Sequence, residues 1–217
     1  MTQQQTALEH LQVIRSLMEK AHIYRAISAP AALVGGVLAT ALSGWTIWAT
    51  AVSESTRLSP ELFLGLWIAL LVLCSVINVI LLSREASRRD QPLVSNDMKL
   101  ALRTLSPALG AGGIMGICFA FYWGNQTLAA LSWIICYALA LLSTHSFSPR
   151  SIKRLGRAFL LLGLTLFVVW SANPSARVYP YEEAIAAVCM GLTFGLLHIL
   201  YAVAVMIRKP QPPTSFE

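Results

Sequence analysis

Between Arg103 and Arg150 the chain carries no charged residue. A helix needs roughly 20 mostly apolar residues to cross about 30 Å of hydrocarbon, so this stretch is too long for one crossing and long enough for two. It breaks at Gly124-Asn125-Gln126, which predicts a tight hairpin between spans at 105–123 and 127–144. Apolar runs of the same kind cover 28–52, 62–83 and 184–207. A shorter one covers 155–172 and stops at Asn173-Pro174, with Arg154 and Arg157 snorkelling from its inner end. The fold class read from this pattern is an all-α membrane protein, a six-transmembrane helical bundle. Composition agrees. Only 12% of residues are charged, against about 25% in soluble domains, because a lipid-facing surface does not tolerate charge.

Helix starts are marked by a cap residue ahead of a proline. Ser59-Pro60, Ser106-Pro107 and Ser148-Pro149 each predict a first turn, where the missing proline N–H would be unpaired in any case, and Ser28 with Pro30 resembles them. Arg208-Lys209-Pro210 ends the last span and begins a tail at 208–217.

Basic residues set the orientation. Of the sixteen Lys and Arg, only Arg57 and Arg177 fall on one side of the predicted spans. The rest fall on the other, which predicts an inner or plasma membrane protein with both termini and the two longer loops cytoplasmic. The formal charge of +6 is therefore a membrane-topology signal, and no nucleic-acid partner is expected. Trp45, Trp48, Trp123 and Trp170 fall at outer span ends, Trp67 and Trp133 in the outer halves, with Tyr122, Tyr179 and Tyr181 beside them. They read as an aromatic belt, with an aromatic ligand box as the alternative.

Helices in lipid associate by close contact, so small residues mark their interfaces. Ala32, Gly36, Thr40 and Gly44 form one stripe, Ala108, Gly112, Gly116 and Ala120 a second, and Ala187, Gly191 and Gly195 a third. The helices bearing them are expected to form the tight interior or an oligomer contact. Serine, proline and glycine recur near residues 28–36, 106–113 and 148–156. That recurrence hints at three duplicated hairpins, although every inward-starting helix needs the same parts.

Residues 1–26 lack the apolar core of a signal peptide, so the first span is expected to remain as an anchor. Leu11, Ile14, Met18 and Ala21 recur at helical spacing, with Arg15, Glu19 and Lys20 largely elsewhere, which predicts an N-terminal amphipathic helix. It would lie in the inner interface, pack under the bundle, or pair with a partner helix or a second copy. Arg84, Arg88 and Arg89 form a basic turn suited to anionic headgroups or to a docking partner.

No acidic residue falls inside a predicted span, which argues against proton or sodium coupling. Asn78, Thr193 and His198, with Thr40, are the polar residues that could line a path. Asn78 otherwise serves as an interhelical hydrogen bond. His198 with His145 or His22 would be the ligands of an intramembrane haem or metal, though no ligand spacing or accompanying carboxylate supports one, so no cofactor is expected. The four cysteines lie in apolar runs without a metal or disulfide pattern. No hydrolase or phosphate-loop motif is present, so no enzymatic role is expected. Three functions follow. The first is a non-catalytic subunit, scaffold or regulator engaging a cytoplasmic or membrane protein partner or forming a homo-oligomer. The second is a carrier or channel for a small neutral or lipophilic solute. The third is an intramembrane haem protein.

Overall fold

The computed structural model describes residues 28–52, 58–88, 96–146, 148–173 and 182–207. The amphipathic segment with Leu11, Ile14 and Met18, and likewise His22, Arg89 and the tail, lie outside the described residues. Within them the protein is helical and has six helices long and apolar enough to span a membrane: α1 (Ala29–Val52), α2 (Pro60–Arg88), α3 (Asn96–Phe121), α4 (Gln126–Ser143), α5 (Arg150–Ala172) and α6 (Glu182–Ile207). It is a polytopic helical bundle.

Local chemistry explains most helix ends. Ser28 Oγ accepts the Ala31 N–H at 3.3 Å, and Asn78 Oδ1 from α2 accepts the Ser28 N–H at 3.4 Å. Two of the N–H groups that a helix start leaves open are thereby covered. Ser59 Oγ accepts the Leu62 N–H at 3.2 Å, as its place before Pro60 predicts. The α3–α4 turn needs Gly124, whose φ of 62° is left-handed, and Asn125 Oδ1 then caps α4 by accepting the Leu128 N–H at 2.6 Å.

Two helix starts differ from expectation. Ser106-Pro107 does not open α3, which begins at Asn96 and carries Pro107 inside it. A proline there removes the N–H that the Arg103 carbonyl would receive. Ser106 Oγ donates to that carbonyl at 3.1 Å, and Ser143 Oγ of α4 donates to the neighbouring Thr104 carbonyl, also at 3.1 Å. The serine thus repairs a proline gap where a cap was expected. Ser148 does not cap α5 either. Its hydroxyl donates to Thr144 Oγ1 at 2.7 Å, and α5 starts at Arg150 rather than near 155. The first turns of α5 are amphipathic, with Ile152, Leu155 and Phe159 buried and Arg154 and Arg157 exposed.

Neighbouring helices run antiparallel in constant register. On α1 and α6, Gly36 meets Ile199 and Gly195, Thr40 meets Gly195, and Ser43 meets Gly191. On α3 and α4, Gly112 meets Cys136 and Gly116 meets Trp133; on α4 and α5, Leu141 meets Gly156 and Ile134 meets Gly163. Consequently every Lys and Arg among the described residues (Arg84, Arg88, Lys99, Arg103, Arg150, Lys153, Arg154 and Arg157) stands toward one end of the bundle.

The interior is centred differently from the stripes. Of the span of α4, 56% is buried, against 17% for α3 and 11% for α2. Helix α4 has no glycine, yet it receives the glycines of α3 on one side and those of α5 on the other. Gly44 is exposed and nothing lies within 4 Å of the place a Cβ would take. The seam passes through Ser43 instead, whose hydroxyl donates to the Ala187 carbonyl at 2.5 Å. The α1 and α6 stripes meet each other within one chain. Because α1 packs chiefly on α6 and α5 chiefly on α4, the three sequential hairpins are not equivalent units.

Helix α6 is not uniform. An α-helix over Glu182–Met190 gives way to a π-helix over Gly191–Leu197 and returns to α-helix at His198–Ile207. Both glycines of the α1 seam fall in the π segment. Its start is also two residues earlier than the predicted span, so Glu182 and Glu183 join the helix and Glu183 is buried. They occupy the first turn, where the helix dipole favours carboxylates. Thr127 Oγ1 of α4 donates to the Glu182 carbonyl at 2.9 Å, which joins the two helix starts at the end opposite the basic one.

Candidate functional site

Helix α2 is the most loosely held of the six, and behind it lies a cavity of about 480 Å³. Its walls come from α1 (Ala31, Ala32, Gly35, Ala39), α2 (Trp67 to Asn78), α3 (Leu109 to Ile117), α4 (Trp133, Cys136, Tyr137) and α6 (Met190, Phe194, His198). The exposed members of the lining are Ile68, Leu71, Ser75, Leu109 and Ile117, all on α2 and α3. The cavity therefore opens sideways between those two helices, where the surrounding surface is apolar. Along α2 it extends from Trp67 to Asn78, about 16 Å at the rise of an α-helix. No Asp, Glu, Lys or Arg lines it.

One polar pair is built into the inner wall. His198 Nδ1 lies 3.0 Å from the Phe194 carbonyl and Nε2 lies 3.0 Å from the Tyr137 hydroxyl. A carbonyl only accepts, so Nδ1 carries the proton. In the neutral ring Nε2 then accepts, and Tyr137 donates to it. The π segment explains the first bond. A regular helix would send the His198 backbone N–H to the Phe194 carbonyl, but here it goes to Gly195, and the imidazole serves Phe194 in its place. Phe159 and Phe194 enclose the pair, with ring centroids 4.9 and 5.1 Å from that of Tyr137. π segments recur at functional sites because they re-aim side chains.

Changing Tyr137 to Phe would leave Nε2 half-buried without a donor. The expected cost is about 1–2 kcal/mol of stability, read as a lower melting temperature in detergent, and an unchanged melt would show that the bond contributes nothing.

The residues singled out in the sequence divide as follows. Asn78 and His198 line the cavity, Asn78 while capping α1. Thr193 is fully buried outside it, its hydroxyl donating to the Cys189 carbonyl at 2.7 Å. Thr40 is exposed and turned to the Gly36 carbonyl at 2.8 Å. Gly112 lines the cavity while packing on Cys136, and Gly116, Gly36, Gly191 and Gly195 lie in the helix seams. Arg84 and Arg88 are exposed near the end of α2. His145 is exposed beyond the end of α4, two turns past Tyr137 and hence about 12 Å further along the axis. It does not meet His198, both of whose ring nitrogens are already engaged. Among the described residues no three His, Cys, Asp or Glu gather where a metal ion would sit.

The aromatic belt divides too. Trp45, Trp48, Tyr122 and Trp123 are exposed at the end opposite the basic one, whereas Trp67 and Trp133 turn inward and line the cavity. Tyr137, Trp67 and Trp133 went unrecognised as lining residues because span position alone does not say which face of a helix looks inward. Their distance from the span ends was the available signal: each stands nearly two turns inside its helix. No protein-family model, characterised protein or solved structure matches this chain.

Proposed function

We propose that this six-span protein binds, and as a carrier hands on, a small neutral or lipophilic solute held in the cavity between α2 and α3. The observation that supports this reading is the cavity itself: about 480 Å³, walled by five helices, free of charged side chains and open between α2 and α3 onto an apolar surface. That size falls in the range of small-molecule sites, and an apolar wall with a few placed polar groups is their usual chemistry. Lateral opening lets a solute enter from lipid without crossing water. With the basic end cytoplasmic, the cavity runs from Trp67 in the outer half to Asn78 near the inner surface.

The scaffold reading stands second. Its main features, Leu11, Ile14, Met18 and Arg89, lie outside the described residues, and Arg84 and Arg88 alone give a basic edge. Gentle purification into nanodiscs followed by native mass spectrometry tests the first reading. A neutral lipophile retained at about one per chain and released by organic solvent is expected. Chains carrying no retained molecule beyond the nanodisc lipids, and taking up none from a lipid extract, would overturn it.

A further inference from the structure

Helix α2 is packed firmly at one end only. Phe63, Leu64 and Trp67 are buried, and Leu64 packs with Ala120 of α3 and Ala129 of α4. Leu66 and Leu70 extend this packing against the main core. From Ile68 to Arg84, about 25 Å of helix, no residue is buried, whereas α1, α4 and α6 carry buried residues along both halves. This arm meets α1 where Cys74 lies beside Gly35, and where Asn78 Oδ1 accepts the Ser28 N–H at 3.4 Å, longer than the usual hydrogen bond. The cavity lies behind the same arm, whose Leu71, Cys74, Ser75 and Asn78 line it.

Walls that are fixed by their other contacts relax little around a cavity. The arm of α2 has few such contacts. Without an occupant the lining atoms lack dispersion partners across the gap, and the least supported wall moves in. Resting on the cavity as a binding site, we propose that α2 beyond Leu70 is a lid hinged at the buried turn from Phe63 to Trp67. A solute holds the lid out against α1. Without one, it folds onto the α4 wall and closes the opening between α2 and α3. Two cysteines mark the movement. Cys74 lies beside Gly35, Gly36 beside Ile199, His198 bonds Tyr137, and Cys136 packs on Gly112. The two thiols therefore line the α2 and α4 walls at nearly one depth, and closure brings them together.

The test uses the full chain in nanodiscs, oxidised with copper phenanthroline in air, with a neutral long-chain alkyl diazirine as the probe. In the dark the probe acts as occupant only. The unmodified chain is expected to form a Cys74–Cys136 disulfide, mapped by mass spectrometry. Saturating probe is expected to slow its formation about tenfold or more, because an occupant shifts the lid outward. No disulfide in either condition, or equal rates with and without probe, overturns the lid. Photolysis supplies the second reading. Tyr137 is expected to be labelled in the reduced chain, protected in the disulfide-linked chain, and labelled again after dithiothreitol. Labelling that persists in the linked chain overturns the lid and leaves the cavity standing. A reduced chain in which Tyr137 is never labelled overturns the cavity reading itself. Gly35→Cys provides the opposite lock. A Cβ at position 35 stands 3.9 Å from Cys74 Cβ, within the span of a disulfide, so oxidation ties Cys74 to α1 and holds the lid out. Tyr137 labelling is expected to survive oxidation in that variant, and its loss would contradict the hinge. The unmodified chain decides the matter even if Gly35→Cys does not fold.

Discussion

Gly36→Leu is expected to detach α1 from α6 and to cost about 3 kcal/mol or more, enough to remove most of the folded population of a marginally stable bundle. Even a Cβ at this position would stand 2.8 Å from Ile199 Cγ1, 2.9 Å from the Gly195 carbonyl oxygen and 3.0 Å from the Ile199 backbone nitrogen. Two of those three atoms belong to backbone and have no rotamer to change. They also lie at the exit of the π segment, so pushing them aside disturbs the turn that aims His198. Gly44→Leu is the control on the same helix, since nothing lies within 4 Å of its Cβ position. Thermal unfolding in a single detergent checks both. Gly36→Leu is expected to melt far below the parent and Gly44→Leu close to it. Equal melting of the two variants would show that the α1–α6 seam is placed wrongly.

Gly113→Phe is expected to abolish solute retention while leaving the fold intact. Gly113 lines the cavity from α3, and a Cβ there meets nothing within 4 Å. Its neighbour Gly112 is the opposite case, with a Cβ only 2.6 Å from Cys136 Cβ. Adding a side chain at 113 improves helix propensity by up to about 1 kcal/mol and fills space that the solute would occupy. Stability is therefore expected within about 1 kcal/mol of the parent, while displacement of a hydrophobic probe falls by about a hundredfold or more, nearly 3 kcal/mol of lost contacts. Undiminished probe binding by a normally folded Gly113→Phe would place the solute elsewhere.

What was legible in the sequence follows from which interactions are local. Uncharged runs reveal spans because hydrocarbon excludes charge along the whole helix, whereas helix starts are less legible: α3 begins at Asn96 and α5 at Arg150, each before its uncharged run. The larger difference is at α3. Ser106-Pro107 has the same composition inside a helix as at its start, and only the Arg103 carbonyl, which the serine covers, distinguishes the two. Small-residue stripes identified helices that pack closely but not what they pack on. Helix α4 became the centre without a glycine of its own, because a receiving surface needs only side chains that fit. The cavity was hidden for a related reason. It is made where five helices fail to meet, and no residue type marks an absence of contact. Asn78 and His198 were noticed for their polarity, whereas Trp67 and Trp133 passed for interfacial anchors because a tryptophan two turns inside a span has the same sequence whether it faces lipid or a cavity. The π segment gave no warning beyond Gly191 and Gly195, residues that also suit a plain α-helical seam.

Photolabelling in membranes tests the central claim most directly. A neutral hydrophobic diazirine is activated with the protein in its native bilayer, and the labelled residues are mapped by mass spectrometry. A cavity entered from lipid between α2 and α3 predicts concentrated labelling of Trp133, Cys136 and Tyr137 on the inner wall, lost in Gly113→Phe. Labelling spread evenly over exposed Leu73, Val76 and Val79, with those three α4 residues unmarked, would contradict it.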